Sequence, residues 1–400
     1  MFDLVGIAFL ATVCLILFSL SLYFKSFTKI ILVALIFRIL LLFINNNIFY
    51  LPDGDMDALS FEAFAWQWSQ DGFYKVFSHY KGADTYFLSF LIAIPYSLLG
   101  RSMMMAQSFS IFLGVINILL VCLIARKLWN NQIAIKAGWL AALFPSVALY
   151  SVLVMRETYI AFFLLLAFIH IINFFKNKNL KSLLFVHLSF IGGAFFHHAS
   201  IYGLVAFLAV LFFILIKLLI KKLYRGKVNL NYLLVIIVFF FIFKFSYLKI
   251  PNEYLDLDRT RNKIVNVKMK GGAAYPEWTK LNSNIEYLYK APVRMIYFVL
   301  SPFPWDVKNL RHLPGLFDSL LYVFLTFLIF RNWKNIKNDR ALKTILIILL
   351  FYFFIFGLGV GNFGTAIRHR VKFVFWMILL AAPLIPKLVL IKEKIIKNIK

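Results

Sequence analysis

The strongest constraint on this 400-residue chain is a succession of apolar runs, each of a length that suits a lipid bilayer. They lie at roughly 4–24, 30–50, 104–125, 131–153, 157–175, 182–196, 199–220, 231–248, 315–330, 341–359 and 371–391. About 20 apolar residues in a helix cross the hydrocarbon core, where a segment must satisfy its own backbone polar groups. Soluble domains carry roughly 45–50% apolar residues. Here the share is 62%, with 47 Phe, and a water-soluble globule is excluded. The expectation is an all-α, polytopic transmembrane helix bundle of about eleven spans, a single integral membrane domain over 1–400.

Charge sets the orientation. The chain has 43 Lys+Arg against 17 Asp+Glu. In a soluble protein such an excess would suggest nucleic acid. Here the basic residues gather in short links, such as Lys25/Lys29, Arg126/Lys127/Lys136, Lys176/Lys178/Lys181 and Arg331/Lys334/Lys337, and in the tail after Lys387. Basic links of this kind mark the cytoplasmic side, so no nucleic-acid partner is expected. Nearly all carboxylates then fall on the outer face, with the N-terminus outside and the C-terminus inside. The first run lacks a basic leader and a small-residue cleavage site, and reads as a retained helix. Cys14 and Cys122 both sit in apolar runs and build neither a disulfide framework nor a metal site. The short apolar segment 86–100, interrupted by Pro95, would invert the topology if it crossed. It is expected to be re-entrant or interfacial, and 291–305, with Pro292, Pro302 and Pro304, looks similar.

Two outer loops, 51–103 and 249–314, are long and rich in aromatics, which favours function. The first opens Pro52-Asp53-Gly54-Asp55-Met56-Asp57, three carboxylates within five residues. Crowding of this kind favours the protonated form of one member and suits a general base, with Asp57 and Asp55 as candidates. The same acids could instead be a solvated turn capping the next helix. Phe61, Phe64, Ala65 and Trp68 follow at helical spacing and predict an amphipathic helix on the bilayer surface.

These residues resemble the first outer loop of the GT-C superfamily of membrane glycosyltransferases. The likeness rests on the acidic cluster after an early span, the aromatic-x-x-x-Ala-x-x-aromatic pattern and Asp71-Gly72. It continues through Leu98-Leu99-Gly100-Arg101-Ser102, Ala125-Arg126-Lys127-Leu128 and Ala142-Leu143-Phe144-Pro145-Ser146 to Arg156-Glu157. An additional N-terminal helix, 4–24, departs from the pattern. The resemblance implies a GT-C-like bundle in a bacterial inner (plasma) membrane with its active site on the periplasmic or extracellular side. It further implies an inverting glycosyltransferase with a polyprenyl-linked sugar donor, a glycan or lipid acceptor, membrane lipids as surroundings, and Asp57 as base.

That chemistry requires fixed cations for the departing lipid phosphate, and arginine offers two parallel donors while staying charged. Candidates are Arg156 with neighbouring Glu157, the pair His197-His198, Arg294, and the consecutive Arg368-His369-Arg370. Each has a plainer alternative: a solvated connector for Arg156-Glu157, an interfacial histidine pair, or contacts of Arg368–Arg370 with anionic lipid headgroups. Arg38, inside the second run, is either functional or a structural hydrogen-bonding charge. His170 and His187 read as bundle-facing. No cofactor is expected, although Asp53, Asp55 and Asp57 could hold a divalent metal. A capsule- or O-antigen-type repeat-unit polymerase is the near alternative, echoed by Met155-Arg156-Glu157 and Phe196-His197-His198-Ala199-Ser200. A transporter or flippase of lipid-linked oligosaccharide is the third reading.

Overall fold

A computed structural model describes residues 3–224, 272–281 and 284–387. The expected runs become helices where local chemistry permits. They are α1 (Leu4–Tyr23), α2 (Thr28–Asn47), α3 (Asp57–Ser69), α4 (Phe87–Leu99), α5 (Met103–Leu128), α6 (Asn131–Leu143), α7 (Glu157–Asn177) and α8 (Leu180–Phe196). There follow α9 (Ile201–Leu223), α10 (Asn284–Leu300), α11 (Leu313–Arg331), α12 (Arg340–Gly359), α13 (Phe363–Arg370) and α14 (Val374–Ala381). Among the described residues, 7 helices are long and apolar enough to cross a membrane, namely α1, α2, α5, α7, α9, α11 and α12 with their flanks. The protein is a polytopic helix bundle.

Among the described residues, some of the expected runs do not form one long helix, for identifiable reasons. The run 131–153 breaks because Pro145 forces Phe144 out of the helical region, to φ −66° and ψ 121°. A short helix, Pro145–Tyr150, then follows. The run 371–391 begins with a tight 3-10 turn at Val371–Phe373, and α14 ends near Pro383. The runs 4–24, 30–50, 104–125, 157–175, 199–220, 315–330 and 341–359 each form one long helix. The run 182–196 forms α8, a shorter apolar helix, while 231–248 lies outside the described residues.

The chain divides into two compact units. The first takes Met1–His198, Leu320–Asp339 and Val371–Lys400. In it, α1 and α5 start together. The Asp3 carboxylate accepts from the Gly6 amide at 2.8 Å and from Ser102 Oγ at 2.6 Å, and Ser102 Oγ accepts from the Met105 amide at 3.0 Å. A Cβ on Gly6 would lie 2.6 Å from Met104 Cβ, so the two helices approach through that glycine. Arg38 is fully buried, and it donates to Ser151 Oγ at 2.7 Å and to the Ala34 and Ala142 carbonyls at 3.0 and 3.3 Å. Ala142 lies in the last turn of α6, where the proline break leaves carbonyls without helical partners. The intramembrane charge is therefore a strut across that break. Trp376 of α14 is also fully buried and donates to the Leu164 carbonyl at 2.9 Å.

The basic clusters of this unit gather at the end away from the acidic loop. Arg126 lies 5.4 Å from the centre of the Phe27 ring, Lys127 donates to Asn173 at 2.6 Å, and Lys176 is 3.6 Å from Asp339.

The second unit takes Ala199–Ser319 and Arg340–Arg370. Tyr352 of α12 donates to the Ser200 carbonyl at 2.5 Å. Gly357 lets α12 touch α10, since a Cβ there would sit 2.8 Å from Met295 Cα. Part of the second long loop is helix: α10 runs through Pro292 and ends before Pro302. Residues 272–281 dock beside α13. The Tyr275 amide donates to the Gly361 carbonyl at 3.0 Å and the Phe363 amide to the Ala273 carbonyl at 2.9 Å.

Candidate active site

The acidic loop leaves α2 through a turn held by a buried amide. Asn45 Oδ1 accepts from the Leu51 amide at 3.0 Å, and the Gly54 amide donates to the Leu51 carbonyl at 2.8 Å. Asp53 adopts a left-handed backbone, φ 64°, which Asp tolerates better than most residues. Its Oδ2 accepts from the Tyr150 hydroxyl at 2.7 Å. Asp53 is thus engaged by the protein, while Asp55 is exposed and Asp57 half-buried. Asp57 begins α3, where the amides of the first turn favour a negative charge.

The segment after Asp57 is helical, as its spacing predicts, with Phe64 and Trp68 only half-buried. Ala58, Phe61, Glu62, Ala65 and Ser69 are its buried residues. Asp57 stands one turn before Phe61, on the same face. Over the Phe61 ring lies the Arg156 guanidinium, 5.0 Å from the centroid. Arg156 Nη1 also donates to the Thr85 and Phe196 carbonyls, both at 3.3 Å. His198 is close enough to Asp84 and Arg156 to feel both charges. The loop around Thr85, the start of α7 and the end of α8 therefore meet against the face of α3 that carries Asp57.

Not every predicted residue joins them. Glu157 follows Arg156 but turns inward; it is 2% exposed, with Lys372 at 3.7 Å. Successive helical residues point about 100° apart, so the adjacent pair divides between the site and the core. His197 ends α8, its amide donating to the Gly193 carbonyl at 3.0 Å.

The cations of the second unit divide in the same way. Arg294, 1% exposed, donates to the Gly357 and Val360 carbonyls at 3.1 and 2.7 Å, tying α10 to the end of α12. Its charge is penalised there, and burial holds its pKa below the ordinary arginine value. Arg370 is fully buried. It meets Asp318 Oδ2 at 3.0 Å, Ser319 Oγ at 2.9 Å, the Val299 carbonyl at 3.0 Å and the Ser301 carbonyl. Both arginines clamp the protein's own oxygens, a task the sequence reading did not foresee. Arg368 and His369 are partly buried on α13, with the His369 ring 5.3 Å from that of Phe356.

Sequence reasoning also overlooked a clamp under α3. Glu62, 1% exposed, receives a two-point bond from Arg101: Nε to Oε1 at 2.9 Å and Nη2 to Oε2 at 2.7 Å. The hydrogen bond to Glu62 raises the Arg101 pKa above its ordinary value. The Tyr96 hydroxyl lies 3.1 Å from Glu62 Oε1 and 2.8 Å from the Ser102 carbonyl. One available signal was a carboxylate between Phe61 and Ala65, on the apolar side of a surface helix. Asp53, Asp55 and Asp57 do not converge on one point, and among the described residues no group of three His, Cys, Asp or Glu is arranged to hold a metal ion.

Comparison with known proteins agrees with the motif resemblance. Residues 84–246 match the family described as dolichyl-phosphate-mannose-protein mannosyltransferase, which is part of the GT-C superfamily. The matched segment includes Arg156 and His198 and begins after Asp57. No curated protein and no solved structure matches the chain. The match supports a membrane glycosyltransferase that uses a lipid-linked sugar.

Proposed function

We propose that this chain transfers a sugar from a polyprenyl-(di)phosphate carrier to a glycan or lipid acceptor at the outer face of a bacterial plasma membrane, in cell-surface polysaccharide assembly. The observation that carries the reading is the placement of Arg156 on Phe61, one turn from Asp57 on the same face of α3. Asp57 takes the proton of an acceptor hydroxyl as its oxygen bonds to the anomeric carbon. The bond from that carbon to the carrier phosphate breaks, and its electron pair leaves with the phosphate. Arg156, with His198 beside it, stabilises the negative charge that develops there. A single displacement of this kind inverts the anomeric centre. Arg294 and Arg370 shape the backbone of their own unit.

The proximity of Arg156 and His198 equally favours the repeat-unit polymerase, whose donor is an oligosaccharide rather than one sugar. The glycan profile of a deletion strain complemented with the wild type or Arg156→Ala separates the readings. Loss of long chains with single repeat units retained selects the polymerase, whereas an undecorated repeat selects single-sugar transfer. Full rescue by Arg156→Ala at normal membrane levels would remove the phosphate role.

A further inference from the structure

The second unit carries an exposed apolar patch on the segment between α10 and α11, and none of the proposed chemistry uses it. Trp305 is 71% exposed and Leu310 82%, and Trp278 of the docked segment 272–281 is 58% exposed. Apolar residues scattered singly over a surface need no explanation, but these belong to one connected group. The Trp305 ring stacks on Phe303 at 4.8 Å and 10°, Phe303 meets Tyr297 edge-on at 5.2 Å, and Trp278 meets Tyr297 at 6.1 Å. The backbone between them is held as well. Asp306 Oδ2 accepts from the Phe303 amide at 2.9 Å, and the Lys308 amide donates to His312 Nδ1 at 3.3 Å. A fixed frame therefore presents the two indoles outward.

The patch stands where a span meets the edge of the bilayer. Residues Leu310–Arg331 form one of the stretches long and apolar enough to cross, and Trp305 lies shortly before it. A Cβ on Gly315, in the first turn of α11, would lie 3.5 Å from Pro302 Cγ, so the segment starts level with that turn. Exposed Leu313 and Phe317 continue the apolar surface along α11. The basic links after Arg331 assign the far end of the helix to the cytoplasm, which puts Trp305 at the outer boundary. Tryptophan favours that boundary because its ring is apolar with one polar edge. The charges agree. Lys308 and Arg311 are exposed, while Asp306 is turned onto its own backbone; around Trp278, Glu277 and Lys280 offset each other. Two cations so near the outer end of a span run against the usual distribution, and a layer of lipid phosphates supplies their counterions.

We infer that residues 304–313, with Trp278 beside them, anchor the second unit in the outer leaflet of an anionic phospholipid bilayer. Trp305 and Leu310 enter the boundary between headgroups and acyl chains, and Lys308 and Arg311 pair with phospholipid phosphates. The second long outer loop is then held against the membrane surface at this point. The inference does not depend on the transfer reading, because no residue of the patch takes part in the proposed chemistry.

The test is quenching of Trp305 fluorescence by brominated lipids, with the purified full chain in nanodiscs of phosphatidylcholine and phosphatidylglycerol. The Trp305 signal is the difference between the wild type and Trp305→Phe. Brominated phosphatidylcholine is expected to quench it, and brominated phosphatidylglycerol to quench it more. Lys308→Gln combined with Arg311→Gln should lower that preference by about fivefold or more, at about fivefold for each cation lost. A second readout is a nitroxide on Leu310→Cys in a Cys14→Ser background, Cys122 being fully buried. It should lie about 5–10 Å below the lipid phosphates. A Trp305 signal indifferent to brominated lipid, a nitroxide in water, or a phosphatidylglycerol preference that survives the double substitution would each overturn the anchor. Spin–spin coupling between labelled chains with Trp305 unquenched would overturn it too, in favour of a second copy on the patch. Sugar transfer enters none of these readouts, so failure of the transfer reading leaves them intact.

Discussion

Replacing Arg101 by Met should destabilise the first unit through the carboxylate left behind. Glu62 has a side chain only 2% exposed, and it loses both charge-assisted hydrogen bonds while keeping the Tyr96 hydroxyl nearby. Breaking a fully buried ion pair costs about 3–5 kcal/mol. The Arg101 side chain is 51% exposed, so water replaces part of the interaction and the cost falls to about 2 kcal/mol. Glu62→Gln alone should cost about 1 kcal/mol, because the amide still accepts from Tyr96 but gives up the two-point bond. The double variant should be little worse than Glu62→Gln, with a coupling of at least about 1 kcal/mol. Thermal unfolding in detergent, followed with a maleimide dye that reports exposure of Cys122, reads this directly, since that thiol is fully buried in the fold. At roughly 2–4 °C per kcal/mol for a unit of this size, Arg101→Met should unfold about 4–8 °C below the wild type. Strict additivity of the two single substitutions would refute the clamp.

Three further outcomes follow from the same geometry. Arg38→Met should cost about 2–4 kcal/mol, because the Ala142 carbonyl and Ser151 lose their donor at the Pro145 break, and Arg38→Lys should recover only part of that in the same unfolding assay. Gly114→Val should lower folded yield and cost about 1–3 kcal/mol, since a Cβ there would lie 2.4 Å from Ser151 Cβ; normal yield and stability would contradict the packing. Tyr150→Phe removes the hydroxyl that holds Asp53 and should slow transfer without changing the amount of folded protein, as measured by glycan labelling beside a membrane immunoblot.

Much of the helical architecture was legible because apolar runs of bilayer length leave few alternatives to helix, and α3 was legible from the spacing of Phe61, Ala65 and Trp68. The break at Phe144–Pro145 was harder to read: the run 131–153 keeps its hydrophobicity across the proline, and hydropathy alone does not register a change of backbone direction. The Glu62–Arg101 clamp was hidden because its partners are separated by 39 residues; the place of Glu62 between Phe61 and Ala65 hints at burial but names no partner. Arg294 and Arg370 show the opposite limit. Sequence marks them as cations where apolar residues would be expected, but only their carbonyl partners reveal that they brace the backbone. For Arg156 the sequence supplied the residue, and the fold supplied its place on Phe61.

The most direct test of the account is the rate of sugar transfer from a synthetic polyprenyl-phosphate sugar by purified wild type and Asp57→Asn, at matched amounts of folded protein. Loss of a general base predicts a fall of roughly 10²–10⁴-fold with normal thermal unfolding. An Asp57→Asn enzyme within about threefold of the wild type would contradict the base assignment and with it the proposed chemistry of the acidic loop.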